Sequence, residues 1–96
     1  MKLREFVLAN RLKIKHIVEE NHCYNPTLFG SVARGEERDD SDIDILVTPD
    51  SRASLLSLSI IQLELEQLLN RSIDLVNSKT LLDLFRPSID RDSVEL

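Results

Sequence analysis

Two short alternating segments, separated by a longer segment rich in leucine and isoleucine, most constrain the fold of this chain. Residues 42–45 alternate between aspartate and isoleucine and continue into Leu46-Val47, and residues 72–75 alternate between polar and apolar side chains and continue into Val76. A period of two is typical of a β-strand that buries only one face. Residues 50–70, between these segments, contain no glycine or proline and are rich in leucine and isoleucine. They predict the longest helix of the chain.

The N-terminal part predicts a helix, a strand and a short turn. Apolar side chains recur with helical spacing over residues 3–20. An apolar run at residues 27–29 predicts a buried strand. It ends at Gly30-Ser31, which is followed by a brief helical turn through Arg34 and a second glycine.

The remaining segments complete the order of elements. Residues 36–41 are polar and charged, which predicts an exposed loop. A Thr80/Asp83 capping box predicts a short helix over residues 80–85. Helices and strands therefore alternate along the chain, which favours an α/β or α+β fold with a small central sheet flanked by helices.

Length and charge restrict the possible functions. With 96 residues, we expect one small domain spanning residues 1–96. The net charge is −5, whereas a protein that grips long nucleic acid by its phosphates is usually basic. The charge argues against a free-standing polymerase or RNA-binding module.

Cysteine content and hydropathy restrict the chain further. Cys23 is the only cysteine, so the chain cannot form an internal disulfide or a zinc site with several thiolates. No apolar run approaches the length of a membrane span, and the N-terminus lacks the apolar core of a signal peptide. We expect a cytoplasmic protein.

The long predicted helix has two apolar sides. One side contains Leu58, Ile61, Leu65, Leu68 and Leu69. Leu56, Ile60 and Leu63 lie nearly opposite when projected at 3.6 residues per turn. Because a surface helix needs only one apolar side, the second predicts a surface for a partner or for self-association through the helix at residues 51–70. Burial between other elements of the chain is the alternative.

Three aspartates occupy strand positions where aspartate is disfavoured. Alternation places Asp42 and Asp44 on one face of their strand, and Asp74 likewise points away from its apolar neighbours. If the two strands are adjacent, the three carboxylates converge. The alternative is that each aspartate caps a turn or pairs with a nearby arginine, for which Arg34, Arg38 and Arg71 are available.

Converging carboxylates need a cation. Two like charges ~5 Å apart repel by roughly 3 kcal/mol at an effective dielectric constant near 20. That is a large fraction of the ~5–10 kcal/mol that stabilises a small domain. Mg²⁺ prefers oxygen ligands and usually shares its shell with substrate phosphates. Two such ions would stabilise both the attacking and the leaving oxygens at a reacting phosphate.

Gly30-Ser31 could supply the phosphate-binding half of such a site. A glycine at the end of a strand lets a ligand approach the backbone closely. Ser31 then opens a helical turn whose free N–H groups favour a phosphate. By itself, this dipeptide is usually just a turn.

The combination of these features resembles the active-site signature of the polymerase-beta-like nucleotidyltransferases. Gly30-Ser31 is followed after ten residues by Asp42-x-Asp44, and later by Asp74 on a strand. Residues 28–49 are similar to the minimal nucleotidyltransferase (MNT) family in particular. The resemblance implies a mixed central sheet in the nucleotidyltransferase fold.

The resemblance also implies roles for individual residues. Asp42 and Asp44 would bind both Mg²⁺ ions, and Asp74 would join the catalytic metal and help to activate the acceptor hydroxyl. Gly30 and Ser31 would hold the triphosphate of ATP. Arg34 and Ser41 are further expected phosphate contacts, although Arg34 could instead neutralise the aspartates or pair with Glu37.

Many family members of this size resemble the antitoxin of a module whose toxin is a HEPN-domain ribonuclease. In such modules the transferase attaches AMP from ATP to a hydroxyl of the toxin, usually a tyrosine. This resemblance implies AMP transfer to a partner toxin. The alternatives are neutralisation by complex formation alone, and nucleotidyl transfer to a small molecule or an RNA end.

Overall fold

The computed structural model describes residues 2–80 and 91–96 and contains a mixed four-stranded sheet with helices. The strands are β1 (Cys23–Phe29), β2 (Ile43–Pro49), β3 (Ile73–Asn77) and β4 (Val94–Glu95). The helices are α1 (Leu3–Ala9), α2 (Arg11–Glu20), α3 (Gly30–Arg34) and α4 (Leu55–Leu69), and a short 3-10 helix covers Ser78–Thr80. The mixed α/β architecture confirms the predicted fold class.

The order of strands in the sheet is β3-β2-β1-β4. β2 and β3 run parallel, and α4 connects them, whereas β1 is antiparallel to both of its neighbours, β2 and β4. The adjacency of β2 and β3, on which the convergence of the aspartates depended, is confirmed. Their register pairs Ile43 with Ile73 and Asp44 with Asp74.

One face of the sheet forms the core with the helices. In β2, Ile43, Ile45 and Val47 are fully buried, while the residues between them are only half-buried. α2 contacts β1, α4 contacts β3, and the two helices contact each other. Their buried side chains join the same apolar cluster: Ile14, Val18, Ile61, Leu65 and Leu69. The helices therefore cover one face, and Asp44 lies on the other.

Two N-terminal elements differ from the sequence prediction. The helix predicted over residues 3–20 is two helices, because Asn10 leaves the helical conformation (φ −100°, ψ 10°) and its side chain donates to Phe6 O at 2.9 Å. β1 begins four residues before the predicted strand. Pro26 is buried inside it, where a register shift between Tyr24 and Thr27 accommodates the missing N–H.

The C-terminal half differs at the ends of its elements. α4 spans Leu55–Leu69 rather than residues 50–70, because Ser54 and Ser57 form a capping box at its start and Asn70 (φ 53°) ends it in the left-handed conformation. β4 was not predicted. Apart from Thr80, the helix predicted over residues 80–85 lies outside the described residues.

The exposed apolar residues of α4 follow the predicted pattern. Ile61, Leu65 and Leu69 are buried, whereas Leu56 and Leu63 remain exposed. No helix in the described part of the chain is long and apolar enough to cross a membrane.

Candidate active site

Asp44 and Asp74 are direct neighbours on adjacent parallel strands. Their pairing in the register of β2 and β3 puts both side chains on the same face of the sheet. Asp44 is half-buried, and Asp74, on β3, is exposed. On its other side Asp44 is opposite Phe29, the last residue of β1. Asp44 therefore lies between Asp74 on one side and the end of β1 on the other.

This arrangement changes the protonation of Asp44. Its pKa is raised from 3.8 to about 6, first by burial of the carboxyl group, then by the charge of Asp74 and a hydrogen bond between the two side chains. The charge of Asp42 raises the pKa further, and Arg34 opposes the shift. Three acidic side chains and one cation thus influence one another electrostatically here.

Asp42 lies just before β2 rather than within the strand, and its side chain is exposed. The preceding loop ends in a turn in which Arg38 N–H donates to Ser41 Oγ at 2.8 Å and Ser41 N–H donates to Arg38 O at 3.0 Å. Arg71 stabilises this turn, because its guanidinium donates a hydrogen bond to Ser41 O at 2.8 Å. Ser41, a predicted phosphate contact, is thereby held in the turn that leads to Asp42.

The backbone of Gly30 passes directly beside the Asp44 carboxyl group. Gly30 has φ +76°, and a Cβ added to it would overlap with Asp44 Oδ2. Only glycine satisfies both conditions at this position. Ser31 follows in the first turn of α3, which ends at Gly35 (φ 72°). The junction between β1 and α3 therefore lies against the carboxyl group of Asp44.

Arg34 extends from α3 toward the C-terminal segment. Its Nε lies 3.1 Å from Glu36 Oε2, and one terminal nitrogen lies 3.8 Å from Asp92 Oδ2. The alternative partner expected for Arg34, Glu37, is wrong: the surface pair is formed with Glu36. Asp92 was not predicted to lie near the site, because no local pattern in the sequence indicates so distant a contact.

The carboxylate oxygens at this site provide some of the ligands that a cation such as Mg²⁺ requires. Within residues 2–80 and 91–96, no three acidic, histidine or cysteine side chains are arranged to hold a metal ion by themselves. Asp44 and Asp74 are nevertheless adjacent. The pKa of Asp44 is raised first by burial and then by the neighbouring negative charges, and a cation would offset those charges. Mg²⁺ is commonly held by one or two carboxylates together with substrate phosphates, so these residues fit such an ion.

The comparisons with known proteins agree with this architecture. The family model described as "Polymerase beta, Nucleotidyltransferase" matches residues 12–96. The chain is 33% identical over 84 residues to a Methanocaldococcus jannaschii protein named "Putative protein adenylyltransferase MJ0435". That match covers 88% of this chain and 90% of the relative.

Two solved structures have a similar fold. One, described as a "putative minimal nucleotidyltransferase", has a TM-score of 0.88 and 34% identity, and the match covers 100% of this chain and 97% of that chain. The second belongs to a complex of a tri-AMPylated HEPN toxin from Shewanella oneidensis with an MNT antitoxin. Its TM-score is 0.68 over 92% of this chain and 69% of that chain, and its 20% identity shows the shared fold alone.

Family, fold and the geometry of the aspartates therefore agree. The chain is an enzyme of the polymerase-beta nucleotidyltransferase family, and belongs to its minimal nucleotidyltransferase members.

Proposed function

We propose that this chain transfers AMP from ATP to a hydroxyl group, that of a tyrosine, on a HEPN ribonuclease toxin, and so acts as its antitoxin. The relative from M. jannaschii is named as a protein adenylyltransferase. The protein of similar fold from S. oneidensis was solved in a complex with a tri-AMPylated HEPN toxin. Modification by a bulky, charged AMP group near the ribonuclease site would block the substrate RNA.

The observation that carries this proposal is the pairing of Asp44 with Asp74 beside the backbone of Gly30. Nucleotidyl transfer requires a triphosphate held next to carboxylates, with room for an acceptor. The acceptor oxygen forms a bond to the α-phosphorus, the bond to the β-phosphate oxygen breaks, and pyrophosphate leaves. The side chain of Asp74 is exposed, which gives an acceptor side chain access to it.

The residues have distinct roles in this reaction. Asp42 and Asp44 would hold Mg²⁺, which would offset the charge of the triphosphate and of the leaving pyrophosphate. Asp74 would join them as a ligand. Its side chain is exposed, and it accepts the proton of the acceptor hydroxyl.

The nucleotide is held by a second set of residues. The backbone at Gly30 and Ser31 binds the phosphates, because Gly30 passes beside the Asp44 carboxyl group with no side chain of its own and Ser31 opens the first turn of α3. Arg34 and Ser41 contribute further phosphate contacts. Arg34 would exchange its exposed ion pair with Glu36 for the triphosphate.

Intact-mass spectrometry of a candidate HEPN toxin tests the proposal. The toxin is co-expressed with the wild-type chain, with Asp42→Asn or with Asp44→Asn. We expect a mass gain of one or more AMP units with the wild type and none with either variant. Asp39→Asn, which removes an exposed carboxylate from the preceding loop, is the matched control and should retain transfer. Transfer by both active-site variants would refute the proposed roles.

Neutralisation by binding alone is the second candidate function. The exposed apolar side of α4 favours it, because Leu56 and Leu63 offer a surface that a toxin could cover. In that case the aspartate variants still protect cells, whereas Leu56→Asp or Leu63→Asp does not. Transfer to a small molecule or an RNA end would appear as labelling of those acceptors, with no mass gain on the toxin.

A further inference from the structure

The outer side of α4 carries an apolar stripe, which we define as Leu56, Ile60 and Leu63. These side chains are 69%, 37% and 57% exposed. Helical spacing places them opposite Ile61 and Leu65, which are fully buried in the core. Three large apolar side chains in one row on a small protein indicate a surface that is covered by another molecule.

The stripe faces away from the candidate active site. The inner side of α4 packs on the sheet face that contains Ile43 and Ile45, whereas Asp44 and Asp74 lie on the opposite face. The sheet and a helix about 10 Å thick therefore separate the stripe from the carboxylates. A protein that presents a hydroxyl to Asp74 does not reach the stripe from the same side. A molecule that covers the stripe therefore does not cover the sheet face on which Asp44 and Asp74 lie.

The spacing and charge of α4 favour a second copy of this chain. Leu56 lies four residues before Ile60, and Leu63 lies three after it, which is the spacing of paired helices. The only charged residues of α4 are Glu64 and Glu66, near its C-terminal end, and neither belongs to the stripe. The stripe is uncharged, and Ile60 lies at its middle. The same surface on a second copy can therefore pack against it, as a two-fold interface between identical subunits requires.

The positions of these glutamates decide the orientation of the pair. In a parallel pair, the Glu64 of each copy would lie near the C-terminal end of the opposite α4, where the helix dipole disfavours a carboxylate. In an antiparallel pair centred on Ile60, the two Glu64 residues lie about 12 Å apart along the helix axes. Each then lies near the N-terminal end of the opposite α4, where the helix dipole stabilises a carboxylate. The charges of α4 are therefore complementary only when the helices are antiparallel.

We propose that the stripe packs against the same stripe of a second copy, with the two α4 helices antiparallel and Ile60 at the two-fold axis. In this back-to-back dimer both acidic faces point outward, so each copy can receive an acceptor. The dimer goes beyond the proposed AMP transfer and does not depend on it.

The mass of the protein in solution tests the dimer. Sedimentation over a range of concentrations should give twice the monomer mass for the wild type, and the monomer mass for Leu63→Asp. Leu12→Asp and Leu55→Asp are matched controls, because these leucines are 76% and 83% exposed but lie outside the stripe. Both controls should remain dimeric. A wild type that is monomeric at every concentration overturns the proposal, as does equal dissociation of the controls.

Cross-linking tests the orientation with a variant that keeps the fold. Cys23 is fully buried, so an introduced cysteine is the accessible thiol. Ile60→Cys should form a disulfide-linked dimer on mild oxidation, because the two positions meet at the axis. Leu56→Cys should cross-link to Leu63→Cys in a mixture but not to itself. Self-cross-linking of Leu56→Cys without that of Ile60→Cys overturns the antiparallel arrangement.

A toxin seated on the stripe would give a different result. Leu63→Asp would then abolish the complex with the toxin and leave the mass of the free chain unchanged, which also overturns the proposal. Because these measurements need no ATP, failure of the dimer is distinguishable from failure of the proposed AMP transfer.

Discussion

Asp44 connects the electrostatics of the site to the stability of the protein. Its pKa is raised from 3.8 to about 6, so the folded protein holds a proton that the unfolded chain has already lost in this pH range. The free energy of unfolding therefore falls as the pH rises from about 4 to about 6, and the penalty is fully present above that window. The charged carboxylates thus lower the stability of the folded protein, but the same groups suit a bound cation.

We predict that Asp44→Asn stabilises the protein near neutral pH. Removing the repelled charge should raise the free energy of unfolding by about 1–2 kcal/mol at about pH 7, after allowance for solvent screening at a half-buried group. This gain in the free energy of unfolding should become smaller toward pH 4, where Asp44 is protonated in the folded protein. Urea denaturation of both proteins at several pH values measures the gain. Asp39→Asn is the control and should change stability by less than about 0.5 kcal/mol; an equal gain there would point to overall charge instead.

Gly30 and Gly35 offer a matched pair of substitutions. Both have positive φ, but a Cβ at Gly30 would overlap with Asp44, whereas a Cβ at Gly35 would have no atom within 4 Å. Gly35→Ala should cost about 1–2 kcal/mol for the left-handed backbone alone and keep transfer activity. Gly30→Ala should cost more and reduce kcat about 100-fold, because it displaces the Asp44 carboxyl group. Calorimetry and a transfer assay measure both effects, and equal activity in the two variants would contradict this explanation.

At the scale of elements, α4 has one face that stabilises the monomer and one that does not. Leu65→Ala should lower the free energy of unfolding by about 2–5 kcal/mol, because it leaves a cavity in the core. Leu56→Ala changes the same residue type on the exposed side and should cost less than about 1 kcal/mol at concentrations where the chain is monomeric. Chemical denaturation compares the two. Similar losses would mean that the stripe is buried within the monomer.

At the scale of the whole molecule, β4 forms an edge of the sheet from residues that are distant from β1 in the sequence. Val94 and Glu95 pair with Leu28 and Thr27 of β1, and Leu96 N–H donates to Pro26 O at 2.9 Å. Removing residues 94–96 should cost about 2–4 kcal/mol, because it breaks these hydrogen bonds and exposes β1. Thermal denaturation measures the loss. Glu95→Ala keeps the backbone pairing and should change little; an unaffected truncation would show that β4 contributes no stability.

Much of the site could be predicted from local patterns. Alternation in residues 42–47 places Asp44 opposite to the buried side chains, and the glycine at the end of β1 matches a backbone with positive φ. The break at Asn10 could not be predicted, because the apolar spacing continues through it. The pairing of Arg34 with Asp92 could not be predicted either, since nothing near Arg34 in the sequence specifies a contact across the fold.

The sequence by itself determined the types of the main elements, the two faces of α4 and the position of Asp44 on the strand face opposite to the buried side chains. These properties follow from side-chain periodicity and backbone preference, which act over a few neighbouring residues. Only the tertiary structure decided that β2 and β3 are adjacent in a register that pairs Asp44 with Asp74. It also decided that β4 returns to β1. Strand pairing depends on which buried surfaces fit together across the whole chain, and no local pattern specifies that choice.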